Sequence, residues 1–285
     1  MFIFMLSIAM LLLGLLALIL YRSNLIKRRN NRILRQQSAL ITEKNGELMR
    51  QKLQVEQVNA KMTDSLLYAE RIQQAILPQE DVMRKLFDDY FVFFKPLSVV
   101  SGDFYWVGEY RNKVIFAVSD CTGHGVPGAM MSMLGNSYLN EVIRKPNILK
   151  TNEVLDEMRS MIITSLHQQG GVGESKDGME LSLCMYDFES GELEFAGAHT
   201  SIFIAKHNPG ESYEIIELKG DVMPIGYYRN MKPFTNQTIS IGAQDIVYLY
   251  SDGYIDQFGG VKGRRYQRRF FKELLLKNAN QSMSM

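Results

Sequence analysis

Residues 104–120 read FYWVGEYRNKVIFAVSD, two β-rich runs separated by three polar residues. β-branched and aromatic side chains dominate both runs, which is typical of neighbouring strands. The same composition predicts seven further strands, at Phe91–Phe94, Leu181–Phe188, Leu193–Ala198, Ser201–Lys206, Tyr213–Lys219, Phe234–Ile241 and Asp245–Asp252. Turn residues such as Glu189-Ser190-Gly191 separate most of these runs, as expected for antiparallel pairing.

Two helices interrupt this series of strands after the third. The first is predicted to start after Pro127-Gly128 and to run to about Lys145. The second follows Thr151-Asn152, a candidate N-terminal cap, and runs to about Gln168. Many short strands with an inserted helical pair predict an α+β fold of two antiparallel sheets flanked by helices.

The composition excludes several classes of protein. The chain has 285 residues, 46% of them hydrophobic, and only 7 prolines, which is incompatible with a disordered or low-complexity protein. A formal net charge of +1 argues against a protein that coats nucleic acid. Two cysteines, Cys121 and Cys184, cannot form a disulfide framework and suit a reducing compartment.

The first 21 residues, MFIFMLSIAMLLLGLLALILY, contain no charge and are long enough to cross a bilayer as a helix. A basic cluster follows before the first acidic residue, Glu43, and consists of Arg22, Lys27, Arg28, Arg29, Arg32 and Arg35. By the positive-inside rule we expect a single-pass protein of the inner (cytoplasmic) membrane whose C-terminal domain is cytoplasmic. A cleaved signal peptide is the alternative, but it would need a basic start and a small-residue cleavage site. Met1 need not be the natural start of the protein.

Residues 22–77 predict a basic juxtamembrane segment and a continuous helix. One apolar stripe recurs every seven residues, at Leu34, Ile41, Leu48, Val55, Met62, Ala69 and Ile76. The second seam is largely polar, so we expect a homodimer held by a marginal coiled coil. A signalling helix whose pairing changes and a passive stalk are both compatible with this pattern. Pro78 ends the helix, and residues 78–285 form the last predicted domain.

Four aspartates carry the candidate chemistry. Asp103 lies in SGDFYW, Asp120 in SDCTGHG, and Asp252 in YSDGYIDQ with Asp256 one helical turn later. Asp120 and Asp252 end strongly apolar strands, where a carboxylate is costly unless it is solvated, paired or bound to a cation. Several convergent carboxylates without His or Cys ligand spacing favour Mg²⁺ or Mn²⁺, although for each aspartate alone a turn or cap role is the alternative.

Five motifs, in order, resemble the SpoIIE-type branch of the metal-dependent serine/threonine protein phosphatases, the PPM superfamily: SGDFYW, DCTGHGVPGAMMSMLG, DGMELSLC, MPIGYY and YSDGYIDQ. The resemblance implies an α-β-β-α sandwich that hydrolyses phosphoserine or phosphothreonine with two Mn²⁺ or Mg²⁺ ions. It implies that Asp120 bridges both metals and that the Cys121 backbone carbonyl binds one of them. Asp252 would bind the other metal, and Asp103 would hold a metal-bound water.

Three further positions are weaker candidates. Asp177 matches a family position near the metals, and Asp256 is an additional carboxylate one helical turn after Asp252. His124, between two glycines, is a candidate to contact the phosphate or protonate the leaving serine. A turn role is the alternative for His124. The chemistry needs no nucleophilic side chain, because two cations about 3.5–4 Å apart lower the pKa of a water molecule between them. The thiol of Cys121 is therefore not expected to be catalytic.

The resemblance also implies one more metal-binding aspartate, on a final strand, in a paired-acid motif that does not follow Asp252 here. We therefore expect either a fragment truncated at the C-terminus or a domain that lacks one ligand. Two functions follow: a membrane-anchored phosphatase in bacterial signal transduction, or a pseudophosphatase that acts as a signalling scaffold. The resemblance suggests as substrate a phosphorylated regulatory protein such as an anti-sigma-factor antagonist.

Overall fold

The computed structural model describes residues 1–146, 150–171, 176–208, 210, 212–260, 263–281 and 283. The chain divides into two units, Met1–Asp64 and Ser65–Met285. The first unit is a single helical segment, the main part of helix α1 (Phe2–Ile76). Its N-terminal part is long and apolar enough to cross a membrane, with a mean hydropathy of 2.9 over 18 residues. The helix ends two residues before Pro78, as predicted.

The second unit contains a five-stranded antiparallel sheet in the order β1-β2-β3-β4-β7. Its strands are β1 (Phe104–Tyr110), β2 (Lys113–Cys121), β3 (Met179–Asp187), β4 (Glu192–Ala198) and β7 (Gln237–Ser240). A smaller antiparallel sheet has the order β6-β5-β8, formed by β5 (Ser201–Asn208), β6 (Ser212–Lys219) and β8 (Ile246–Tyr248). A two-stranded ribbon joins β9 (Phe258–Gly259) to β10 (Arg264–Arg265).

Helices cover the outer faces of both sheets. α3 (Gly125–Ile143) and α4 (Thr151–Ser165) pack on the five-stranded sheet, and α6 (Arg268–Asn278) packs on the smaller one. In α4 the buried residues Val154, Leu155, Met158 and Ile162 recur at helical spacing, which explains why this helix forms and which face it buries. Two short helices, α2 (Glu80–Leu86) and α5 (Asp252–Ile255), complete the unit.

Three apolar layers hold these elements together. The largest lies between α3, α4 and the five-stranded sheet and includes Phe104, Leu139 and Leu155. A second fills the space between the two sheets and includes Phe195 and Ile204, and a third joins the smaller sheet to α6. The predicted α-β-β-α sandwich with two antiparallel sheets is therefore confirmed, and a long helix precedes it.

Two sequence predictions are wrong. Residues 91–94, all within the described chain, form no strand, so the helical pair follows the second strand and not the third. The rings of Phe91, Phe93 and Phe94 instead make separate aromatic contacts, for example Phe94 with Tyr105 at 5.8 Å between centroids. Thr151 is the first residue of α4 and not its cap, because its hydroxyl donates to Asn236 Oδ1 at 2.6 Å.

Candidate active site

The site is built around Asp120, at the carboxyl end of β2. The strand is a central member of the five-stranded sheet, and its apolar residues pack into the layers on both faces. Antiparallel pairing with β3 places Asp120 opposite Glu180, so both side chains lie on the same face of the sheet. The rigid sheet therefore fixes a carboxylate at its rim, next to a second acidic side chain.

Asp103 reaches the same place from the segment that leads into β1. Its backbone N–H donates to Ser101 Oγ at 3.0 Å, and its carboxylate Oδ2 accepts a hydrogen bond from Ser251 Oγ at 2.8 Å. Ser251 directly precedes Asp252, the first residue of α5. This contact spans 148 positions of sequence and brings two of the predicted metal ligands together.

The carboxylates of Asp103 and Asp252 both lie within hydrogen-bonding reach of Asp120. Burial and these two negative neighbours raise the pKa of Asp120 from 3.8 to about 8. Each carboxylate added to such a cluster disfavours the ionised form of the others unless a cation is bound. The arrangement thus has the electrostatic character of a cation site.

The donor set fits two hard cations. In the described part of the chain, no three His, Cys, Asp or Glu side chains converge tightly enough to enclose one ion. Asp120 is instead close both to Asp103 and to Asp252, so an ion at either contact would take two carboxylates from the protein. Mg²⁺ and Mn²⁺ commonly complete such a shell with water, backbone carbonyls and phosphate oxygens.

Glycines allow the loop after β2 to pack against the segment before Asp103. A Cβ atom on Gly102 would lie 3.1 Å from the carbonyl oxygen of Cys121 and 2.9 Å from that of Gly123. The Cys121 carbonyl is therefore close to Gly102, the residue before Asp103. The Cys121 thiol is buried, and burial raises its pKa, so the thiol stays protonated and is a poor nucleophile.

A cleft of about 160 Å³ opens beside these residues. It is lined by Val118, Asp120, Glu180, His199, Thr200, Ser201, Tyr250, Ser251, Asp252, Ile255 and Arg268. Arg268, at the start of α6, donates to the Tyr250 hydroxyl at 2.7 Å and forms an ion pair with Glu217 at 3.0 Å. Its guanidinium group also lies 5.2 Å from the ring centre of Phe203. These contacts fix a positive charge at the edge of an acidic cleft.

Of the predicted site residues, Asp120 and Asp252 line the cleft. Asp103 and Cys121 adjoin the lining residues Ser251 and Asp120, and three more predicted residues lie outside the described lining. Asp256 is the residue that follows α5, and it forms an ion pair with Arg265. Asp177 accepts a hydrogen bond from Gln168 Nε2 at its backbone carbonyl, at 2.6 Å. His124 is the residue before α3 and is exposed to solvent.

The sequence profile of the Stage II sporulation protein E (SpoIIE) family matches residues 110–284. The chain belongs to the SpoIIE family. Among solved structures, the SiaA-PP2C domain of Pseudomonas aeruginosa is 31% identical, with a TM-score of 0.70, over 80% of this chain and 86% of that domain. The RsbU and RsbW domains of a Mycobacterium tuberculosis protein match at 21% identity with a TM-score of 0.51, over 65% of this chain and 48% of theirs. No match was found among curated protein sequences.

Membership of the SpoIIE family assigns the chain to the serine/threonine protein phosphatases of signalling pathways. Within this SpoIIE domain, the cleft also contains three residues outside the predicted set of site residues, namely Glu180, His199 and Arg268. The strand register that pairs Glu180 with Asp120 would have pointed to the first of them. Arg268 lies 148 residues beyond Asp120, on a helix that the strand pattern does not predict, and no motif marks it.

Proposed function

We propose that this chain is a membrane-anchored, metal-dependent phosphatase that removes phosphate from serine or threonine of a signalling protein. The observation that carries the proposal is the convergence of three aspartates: Asp120 and Asp252 line one cleft, and Asp103 contacts Asp120 and Ser251 beside it. They come from three distant segments, so a structural turn role at each would not require their contact. The chain belongs to a family of serine/threonine phosphatases, so we propose that this acidic cleft acts on a phosphate group.

We assign Asp120 to both ions, Asp252 to one of them, and the Cys121 carbonyl to the other, with Asp103 holding a water molecule at the site. Two divalent cations bound here would offset the charge of the phosphoryl oxygens and lower the pKa of a water molecule. The protein's own contribution is to fix the carboxylates before substrate arrives. Ser251 holds Asp103, and strand pairing holds Asp120.

Arg268 supplies the charge that is complementary to the substrate. Its side chain is 43% exposed, so it can meet an incoming phosphate, while Tyr250 and Glu217 restrict its motion. Glu217 also forms an ion pair with Lys272 at 2.5 Å. The side chains of Arg268 and Lys272 both pair with the single carboxylate of Glu217, so this group of three side chains keeps a net positive charge. An arginine fork matches phosphate oxygens in geometry as well as in charge. The substrate we propose is a phosphorylated regulatory protein, such as an anti-sigma-factor antagonist.

The N-terminal helix is the proposed membrane anchor and dimer contact. In the single chain, the heptad residues Leu34, Ile41, Leu48, Val55 and Met62 are all between 57% and 61% exposed. Burying this stripe against a second copy would form the predicted homodimer, with the basic cluster at the cytoplasmic surface of the inner membrane. The domains we propose remain residues 1–21, 22–77 and 78–285.

Near its end, the same helix contacts the segment that carries Asp103. The buried side chain of Gln73 donates from Nε2 to the Ser101 carbonyl at 2.6 Å and to Ser132 Oγ at 2.8 Å. Its Oε1 accepts from the Ser101 N–H at 2.9 Å. A change in the register of the helix would therefore act on Ser101 and, through it, on Asp103. This contact favours the signalling helix over the passive stalk.

The test is hydrolysis of a phosphoserine peptide by the full chain in detergent, with saturating Mn²⁺. We expect turnover that EDTA removes and that falls by roughly 100-fold or more in Asp120→Asn, because both ions lose a ligand. Asp256→Asn is the matched control, since Asp256 pairs with Arg265 outside the cleft lining and should keep the activity. Absence of turnover in the wild-type chain, or full activity in Asp120→Asn, would refute the phosphatase and favour a scaffold.

A further inference from the structure

His199 occupies an unusual position at the corner where the chain leaves the five-stranded sheet and enters the smaller one. It lies between the end of β4 and the start of β5, and its φ of +59° is uncommon for a residue other than glycine. Its backbone N–H donates to the Asp221 carbonyl at 2.7 Å, and the Gly220 N–H donates to the Thr200 carbonyl at 3.0 Å. The corner is therefore held rigidly although the imidazole is half-exposed.

Glu180 holds the ring of this histidine. His199 Nδ1 lies 2.5 Å from Glu180 Oε1, a carboxylate oxygen to which it donates, so Nε2 is the ring nitrogen that this contact does not use. Glu180 is in turn the strand partner of Asp120 and lies on the same face of the sheet. Both His199 and Glu180 line the cleft that contains Asp120 and Asp252. A strained residue, oriented by a carboxylate and facing a reaction site, has the features of a catalytic acid or base.

We infer that His199 is the general acid that protonates the leaving serine or threonine oxygen, and that Glu180 is its positioning residue. The inference rests on the proposed phosphatase activity and adds a group to it. An alkoxide is a poor leaving group, so a proton donor at this oxygen speeds the reaction typically by 10²–10⁴-fold. The carboxylate cluster lacks a proton donor suited to this task when its members bind cations.

The step balances without any further reactant. The oxygen of a water molecule forms a bond to phosphorus, while the bond from phosphorus to the serine Oγ breaks. The electron pair left on Oγ takes the proton from Nε2 of protonated His199, which gives free serine and inorganic phosphate. The proton released by the attacking water passes to solvent, and the neutral imidazole regains a proton from solvent.

His124 is the rival for this role. It precedes α3, is exposed, and is not among the described residues that line the cleft. His124 is the N-cap residue of α3, but its side chain makes no capping hydrogen bond to the helix. His199 differs in having both a carboxylate partner and a place in the cleft.

The experiment compares two substrates that differ in their need for an acid. The full chain with Mn²⁺ in detergent is assayed with a phosphoserine peptide and with p-nitrophenyl phosphate, whose phenolate leaves without protonation. The test variant is His199→Asn, because asparagine tolerates the positive φ and can still donate to Glu180. We expect kcat to fall by about 100-fold or more on the peptide, and by less than about threefold on p-nitrophenyl phosphate.

Three companion variants complete the design. Glu180→Gln keeps an acceptor for Nδ1, so kcat should fall by about tenfold on the peptide and not on p-nitrophenyl phosphate. This loss is smaller than the one expected for His199→Asn. His207→Asn is the neutral control, since its ring packs on Tyr213 at 5.0 Å on the far part of β5 and should leave both activities unchanged. Thermal unfolding and Mn²⁺ binding by calorimetry should be the same for His199→Asn and the wild type.

Equal losses on both substrates, or weakened Mn²⁺ binding in His199→Asn, would show a structural or metal-binding role and overturn the inference. A selective loss on the peptide in His124→Asn, with His199→Asn unaffected, would overturn it in favour of His124. A wild-type chain that hydrolyses neither substrate refutes the phosphatase itself, and the inference with it.

Discussion

Replacing Asp120 by asparagine should abolish catalysis and yet stabilise the metal-free protein. Burial and the carboxylates of Asp103 and Asp252 raise the pKa of Asp120 to about 8 from 3.8. Its ionised form is therefore less favourable in the folded state than in the unfolded state. Asparagine has nearly the same shape but no charge, so the variant removes this repulsion.

The size of the gain follows from the shift. One pKa unit corresponds to about 1.36 kcal/mol, but Asp120 is partly exposed and its charge is screened by solvent, so we expect only about 1–2 kcal/mol. The sign depends on pH. A raised folded-state pKa favours folding below the unfolded pKa, and this contribution is lost as pH rises through the folded value. The advantage of Asp120→Asn should thus be absent near pH 4, grow to about pH 8, and then level off.

Trp106 provides the assay. It is the single tryptophan of the chain, is buried, and donates from Nε1 to Asn140 Oδ1 at 3.1 Å, so its fluorescence reports on unfolding of the second unit. In EDTA at pH 8, Asp120→Asn should raise the melting temperature by roughly 2–6 °C. Asp256→Asn should not raise it, because this substitution breaks an ion pair with Arg265. A variant that melts at or below the wild type at pH 8, or a gain that does not change with pH, would refute the reasoning.

Two further predictions concern the helix end and the core. Gln73→Ala leaves the Ser101 N–H without a partner, and the Ser101 carbonyl keeps only its bond from Ser132 Oγ. This variant should weaken Mn²⁺ binding, measured by calorimetry, roughly tenfold, whereas Gln74→Ala on the exposed side should not. Equal affinities would contradict the coupling. Leu155→Ala opens a cavity at a fully buried position of α4 and should lower the free energy of unfolding, measured with denaturant, by about 2–5 kcal/mol. A loss below about 1 kcal/mol would show that the layer between α4 and the sheet closes around the gap.

The strands that decide the fold could be predicted because their side chains alternate or pack on both faces. The prediction at Phe104–Tyr110 agrees with β1 at both ends. The prediction at Phe91–Phe94 failed because an apolar aromatic run has no strand character of its own. In the described chain, these residues have no neighbouring strand with which to form backbone hydrogen bonds. Their rings instead each contact another aromatic residue, as Phe93 contacts Tyr254.

The candidate site was predictable only in part, for a related reason. Asp120 and Asp252 stand out because a carboxylate that follows an apolar run needs a partner, although Asp252 begins α5 and does not end a strand. Asp103 stands out only through its motif and its neighbouring glycine. Glu180 is harder to assign, because its proximity to Asp120 follows only from the register of β2 and β3, and a shift of one residue would turn its side chain to the other face. The sequence position of Asp256, one helical turn after Asp252, predicts a further metal ligand, whereas its carboxylate forms an ion pair with Arg265 in the structure.

The same electrostatics connects stability with function in this domain. A cluster that holds Asp120 next to two other carboxylates destabilises the metal-free fold, and cation binding turns this repulsion into attraction. Binding energy from the ions then becomes folding energy for the segments that carry Asp103 and Asp252. Because Gln73 holds Ser101 next to one of these segments, a helix that loosens this contact would weaken cation binding as well as the fold. Under the proposed function, metal occupancy is the quantity through which a signal in the helix would set the activity, with no change in the substrate contacts.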